Sequence, residues 1–359
     1  MSGVKMRKLQ VTKPFWFLCI LIIAVAFAST LAVVLSTTYP VGADFFYHLS
    51  IAQLLAKGNI SGAVNYNLAD IKFPYGFYVS LFEFLLVPSV WFGQAYLFAR
   101  VLQVLFLPCT LAATMWLVYR FGSPKAAVFT GMVLFASWSF FDGALQVRPE
   151  SLDLLLYPLI VAALLGAKKV RFVGYALVTV YSHGIAALSN VYGLALYKLR
   201  DKAWRKTIVA ATLAVLPVLV ISVLYIGGAV QKWGGYGLTE NPQEHLFWTD
   251  PVGFIPYYMG ASMLGIPFLF KRGKSDFEKL VLWGLLGNLI MLPFWADRWL
   301  HYVSLPLSIF AGVGIAGLKG RWKLVFVLAL LDIFVVYMIS YFAFSFGWGG
   351  QWAQPGAGA

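Results

Sequence analysis

Charge is what this sequence has least of. Asp, Glu, Lys and Arg make up 11% of its 359 residues, against about 25% in soluble domains, which argues against a water-soluble globular fold. Cysteine is nearly absent. Cys19 and Cys109 both lie in apolar runs and read as core residues rather than a disulfide or a metal site. Long polar stretches are missing too, so residues 1–346 are expected to form a single membrane domain. No internal repeat of the kind that marks many transporters is visible. The first apolar run is too long for a signal-peptide core and lacks a small-residue cleavage site, so it reads as a retained helix.

What the chain has instead is hydrophobicity: 61% of residues and a mean hydropathy of +0.79. Apolar runs recur near the roughly 20 residues that cross a bilayer. The expected fold is an all-α polytopic membrane protein with about 9–11 transmembrane helices. Spans are expected near residues 14–37, 96–119, 126–143, 152–167, 207–229, 253–270, 279–295, 301–318 and 323–345. Residues 172–197 are short for two spans and read as a tight or re-entrant hairpin.

The net charge of +13 marks topology rather than a nucleic-acid partner. Lys5, Arg7, Lys8 and Lys13 precede the first span and place the N-terminus in the cytoplasm. Arg120/Lys125, Lys168/Lys169/Arg171, 198–206, 271–279 and Lys319/Lys323 then fall on the same side. Asp44, Glu83, Asp142, Glu150, Asp153, Glu240 and Asp297 fall on the other, in the external loops (38–95 and 230–253 being the long ones) or at the ends of the spans. Chemistry is therefore expected on the external face, lumenal if the membrane is the endoplasmic reticulum. Gly76–Phe92 is apolar, but counting it as a crossing would invert every later basic loop. It reads as a re-entrant or interfacial helix within the first external loop. The tail, 347–359, is Gly- and Trp-rich and is assigned no role.

Five polar groupings stand out. In Tyr39–Asn59, Asp44 follows a Pro40/Gly42 turn, and Phe45, Leu49, Ala52 and Ala56 recur at helical spacing, with Gly58-Asn59 as the stop. Asp44 can be a plain N-cap or a base at the lipid–water boundary. His48 lies one turn on and shares its face, beside Tyr47. In residues 146–153, Pro149 suits a first helical turn, with Glu150 and Asp153 near its positive end. Arg148 can pair with Asp142 or Glu150, or bind a phosphate. His183 sits inside the short hairpin, where a histidine needs a partner or a cavity. The loop from 230 carries Lys232, Trp233, Tyr236, Glu240, Glu244 and His245, whose spacing is not that of a defined metal site. Finally, Arg298, His301 and Tyr302 share one face at the start of a span. There a guanidinium suits a lipid-linked phosphate or snorkels.

Asp44-Phe45-Phe46-Tyr47-His48-Leu49 resembles the Asp-x-x-Tyr-His-Leu pattern in the first external loop of oligosaccharyltransferase catalytic subunits and related transferases. Phe73–Gly76, Arg148-Pro149-Glu150 and the Arg298/Tyr302/Pro306 pattern resemble further elements of the same GT-C superfamily, the membrane glycosyltransferases that use polyprenyl-phosphate sugars. Protein mannosyltransferases are among the similar families.

The resemblance implies a GT-C-like fold and an inverting glycosyltransferase, with a polyprenyl- or dolichyl-phosphate sugar as donor and a lipid-linked glycan, lipid or protein as acceptor. It implies Asp44 as catalytic base, supported by His48, Tyr47, Glu150, Arg148 and His183. Arg298, Tyr302 and Lys232 would face the donor phosphate. Asp142, Glu150 and Glu240 are candidate ligands should a divalent metal such as Mg or Mn take part. The acceptor motif Trp-Trp-Asp-Tyr-Gly of oligosaccharyltransferases is absent; Trp233–Gly237 lacks its acid, which argues against asparagine glycosylation. The competing readings are a transporter or lipid flippase, which predicts polar groups at the midplane, and a non-catalytic membrane subunit, which leaves Asp44 unexplained.

Overall fold

A computed structural model describes residues 13–37, 40, 44–64, 80–233, 255, 258–271, 273–291 and 296–347. Every regular element among them is helical. The long helices are α1 (Lys13–Ser36), α5 (Ala95–Phe121), α11 (Lys202–Trp233), α14 (Ala296–Gly317) and α15 (Arg321–Gly347). Between α1 and α5 lie α2 (Asp44–Ala56), α3 (Ile60–Val64) and α4 (Leu81–Trp91). The centre of the chain gives α6 (Pro124–Phe135), α7 (Trp138–Leu145), α8 (Pro149–Leu165), α9 (Lys169–His183) and α10 (Ile185–Lys198). Two further helices, α12 (Gly260–Leu269) and α13 (Asp276–Gly287), precede α14.

Local sequence explains many boundaries. Ser123 caps α6 by accepting from Ala126 N at 3.1 Å, ahead of Pro124 in the first turn. Ser275 and Glu278 form a reciprocal capping box on α13. The helix of the first loop stops at Ala56, before Gly58 at φ +73°. One boundary differs from expectation. The run near 126–143 is not a straight span: α6 and α7 meet at 75° across Ala136-Ser137. Ser137 turns its hydroxyl back onto Val133 O at 2.7 Å, and α7 leaves at an angle.

Among the described residues, three helices, α1, α5 and α14, are individually long and apolar enough to cross a membrane, and the bent α6–α7 pair is a fourth if it forms one span. Trp16, Phe17 and Ile20 on α1, and Trp322, Leu324 and Leu328 on α15, are exposed. Apolar faces of this extent belong against lipid. Inside, small residues let helices approach. A Cβ at Gly312 would fall on Thr130 of α6, and one at Gly193 on the Trp283 carbonyl of α13. Gly193→Val is therefore expected to cost about 1–3 kcal/mol by overpacking, read as a lower thermal midpoint in detergent.

Ring contacts sort the helix ends. Phe15 stacks on Tyr119, Phe121 on Phe277, and Phe172 meets Trp204 edge-on. Tyr197 donates to Asp276 at 3.4 Å, and Lys323 lies over the Phe129 ring. These pairs gather the basic segments near 120–125, 168–171, 198–206, 271–279 and 319–323 at one end of the bundle. The starts of α2, α5, α8 and α14 and the end of α9 lie at the other end.

Candidate active site

The end opposite the basic segments holds a buried polar network. It begins where α7 gives way to α8. Arg148 is extended ahead of α8, Pro149 opens the helix, and Glu150 and Asp153 point inward from its first turns. Their carboxyl groups are almost wholly buried, as is the Arg148 guanidinium. Charges so far from water need partners, and α14 and α9 supply them.

α14 brings His301 and Tyr302, both buried. Arg148 Nη2 donates to His301 Nδ1 at 3.2 Å. Arginine has no acceptor, so His301 Nδ1 carries the lone pair and Nε2 carries the proton. Nε2 lies 2.7 Å from the Tyr258 hydroxyl, which donates to Asp142 Oδ2 at 3.0 Å. Gln146 donates to the other Asp142 oxygen at 2.9 Å. A directed chain thus runs from Arg148 through His301 and Tyr258 to Asp142. On its other side Arg148 Nε lies 3.7 Å from Glu150 Oε2.

The end of α9 completes the cluster. His183 Nδ1 is 2.9 Å from Asp153 Oδ2 and 2.7 Å from the Tyr302 hydroxyl, which donates to that same carboxylate at 3.0 Å. Its Nε2 faces Glu150 Oε1 at 3.5 Å. His183 thus lies between two carboxylates, with one ring nitrogen facing each. Gly184, at φ +63°, lets α10 start directly after it.

The first-loop helices dock beside this network. Phe45, Leu49 and Ala52 of α2 pack in one cluster with Phe82 and Leu86 of α4 and with Val147, the neighbour of Arg148. A buried polar tie joins α2 to α4: His48 Nδ1 meets Glu83 Oε1 at 2.6 Å. Glu83 Oε2 accepts from Ser80 N at 2.7 Å and also from the Ser80 hydroxyl.

Of the residues singled out from sequence, Asp142, Arg148, Glu150, His183 and Tyr302 come together here. His48 and Tyr47 lie on α2. Arg148 faces His301 and Glu150, and the Tyr302 hydroxyl is engaged by Asp153 and His183, so both act within the network. Asp44 opens α2, Arg298 falls in the first turn of α14 and Lys232 in the last turn of α11. The side chains of these three, and Glu240 entirely, lie outside the described residues. Among those described, no three His, Cys, Asp or Glu side chains are arranged to hold a metal ion.

Sequence reasoning left Asp153, Tyr258, His301 and Glu83 off the list of site residues. His301 had a signal, its place between Arg298 and Tyr302. Tyr258, in an apolar stretch, had none.

This arrangement defines the class: an integral membrane protein, all-helical among the described residues, with polar groups gathered at one end of its helices. Among solved structures, the chain is similar to ArnT from Cupriavidus metallidurans in the apo state, with a TM-score of 0.57 and 19% identity. The likeness covers 91% of this chain and 64% of that one, so the chain spans under two thirds of ArnT's length. No protein-family model and no curated protein matches the sequence.

Proposed function

We propose that this protein is an inverting glycosyltransferase. It moves a sugar from a polyprenyl- or dolichyl-phosphate donor to a lipid-linked glycan, lipid or protein acceptor on the external face of the membrane. Asp44 accepts the proton of the acceptor hydroxyl as that oxygen attacks the anomeric carbon. The bond from that carbon to the lipid phosphate breaks, and the leaving phosphate is stabilised by cationic groups, Arg298 first among them, with Lys232 at the end of α11 a second. The prenyl tail stays in lipid while the phosphate-sugar head reaches the polar end of the bundle. By the positive-inside rule that end is external, because the basic segments gather at the opposite one.

The observation that carries this reading is the docking of α2 on Val147. It seats the helix that begins at Asp44 beside the Arg148–His301–Asp142 chain. The ArnT-like fold supports it independently. Polar groups clustered at one end, rather than at the midplane, favour transfer over transport.

The test supplies purified protein in nanodiscs with a panel of polyprenyl-phosphate sugars and determines the anomeric configuration of the product by NMR. Inversion is expected. Retention would contradict the single displacement at Asp44. Sugar or lipid uptake into proteoliposomes without a covalent product would make the protein a transporter.

A further inference from the structure

The tie between α2 and α4 lies outside the larger network, and the reaction as written does not use Glu83. Its side chain is wholly buried and that of His48 retains 11% of its exposure. A carboxylate this deep requires hydrogen bonds to every lone pair it can satisfy. Ser80, one turn back on its own helix, satisfies Oε2 through both its amide and its hydroxyl. Oε1 is thereby aimed across the interface at His48 Nδ1, 2.6 Å away. The Phe82 ring closes on the imidazole edge-on, with centroids 5.2 Å apart. The carboxylate only accepts, so Nδ1 carries the proton and Nε2 the lone pair of the neutral ring. His48 is four residues after Asp44 on α2, the spacing that puts two positions on one helical face.

We infer that Glu83 is a positioning residue for the transfer reaction, acting through His48 to fix the orientation of the helical turn that begins at Asp44 and to hold the imidazole in its Nδ1–H form. The inference rests on the proposed function. Apolar packing of Phe45 and Leu49 holds α2 down, but such packing is non-directional. A short buried polar bond across the interface supplies the direction, and misplacement of a base by about 1 Å costs on the order of 10²-fold in rate.

The chain has four histidines, few enough for imidazole ¹⁵N spectra to be resolved, with His48→Gln assigning the signal. Wild-type His48 is expected as the Nδ1–H form. In Glu83→Gln the amide NH₂ can donate to Nδ1, and the ring is expected to switch to the Nε2–H form. The same variant is expected to lower kcat about 10- to 100-fold with KM within about twofold, because the donor-binding groups are elsewhere. His48→Asn places a side-chain N–H near the position of Nδ1, so it is expected to be faster than His48→Ala. That rescue reports the tie even if Glu83→Gln does not fold.

An unchanged kcat in Glu83→Gln, a loss confined to KM, or His48→Asn no faster than His48→Ala would overturn the inference. Should Asp44→Asn fail to transfer while Glu83→Gln keeps the wild-type kcat, the inference falls and the proposed function stands. If folded wild type transfers no sugar from any donor, both fall together.

Discussion

Arg148→Met is expected to destabilise the protein by about 3–5 kcal/mol, the cost of removing one member of a buried charge pair. Methionine fills much of the volume, so the loss is electrostatic. His301 Nδ1 loses its donor, and the nearly fully buried Glu150 loses the guanidinium beside it. Arg148→Lys keeps the charge but not the fork that reaches both partners, and recovers only part of the loss. Adding Glu150→Gln to Arg148→Met removes the stranded charge. The double variant is therefore expected to be more stable than the sum of the single losses predicts. Thermal unfolding of wild type, Arg148→Met, Arg148→Lys, Glu150→Gln and the double variant in one detergent checks this. An Arg148→Met midpoint within a degree of wild type would mean that the network does not hold α8 to α14.

Asp44→Asn is expected to reduce sugar transfer by about 10²–10⁴-fold, the range for loss of a general base. The choice of asparagine matters. Asn and Asp are about equally good at a helix N-terminus, so the variant keeps any capping role while removing the group that takes a proton. Its thermal midpoint is expected to match wild type. A matching loss of stability and activity would mean that Asp44 serves the fold rather than the proton transfer.

Much of the fold is legible because spans announce themselves locally. The runs at 96–119 and 301–318 need only a window of apolar residues, and α5 and α14 enclose them within a few residues. The Phe45/Leu49/Ala52 stripe is equally local, and it is the buried face of α2. The bend between α6 and α7 is not legible, because Ala136-Ser137 carries neither proline nor glycine.

The site divides in the same way. Glu150 and Arg148 stand out as charges in an apolar chain, and His183 as a histidine in a short hairpin. Their partners do not. Tyr258 becomes a site residue only when its hydroxyl meets both Asp142 and His301, far away in sequence. Glu83 looks like a lone acid at shallow depth until the packing of α4 on α2 brings it to His48. Periodicity identifies the face of a single helix; which faces meet is decided by close contacts such as Gly312 on Thr130. Asp153 reads as an ordinary acid near a helix start, where such residues are favoured, and its second role needs His183 and Tyr302 in place.

The most direct test of the central claim is the transfer of radiolabelled sugar from a panel of polyprenyl-phosphate donors, comparing wild type with Asp44→Asn in nanodiscs. Wild type is expected to transfer sugar from at least one donor, and the variant to lose that transfer. Equal transfer by both proteins would contradict Asp44 as the base. No transfer from any donor by folded wild type would contradict the enzyme itself.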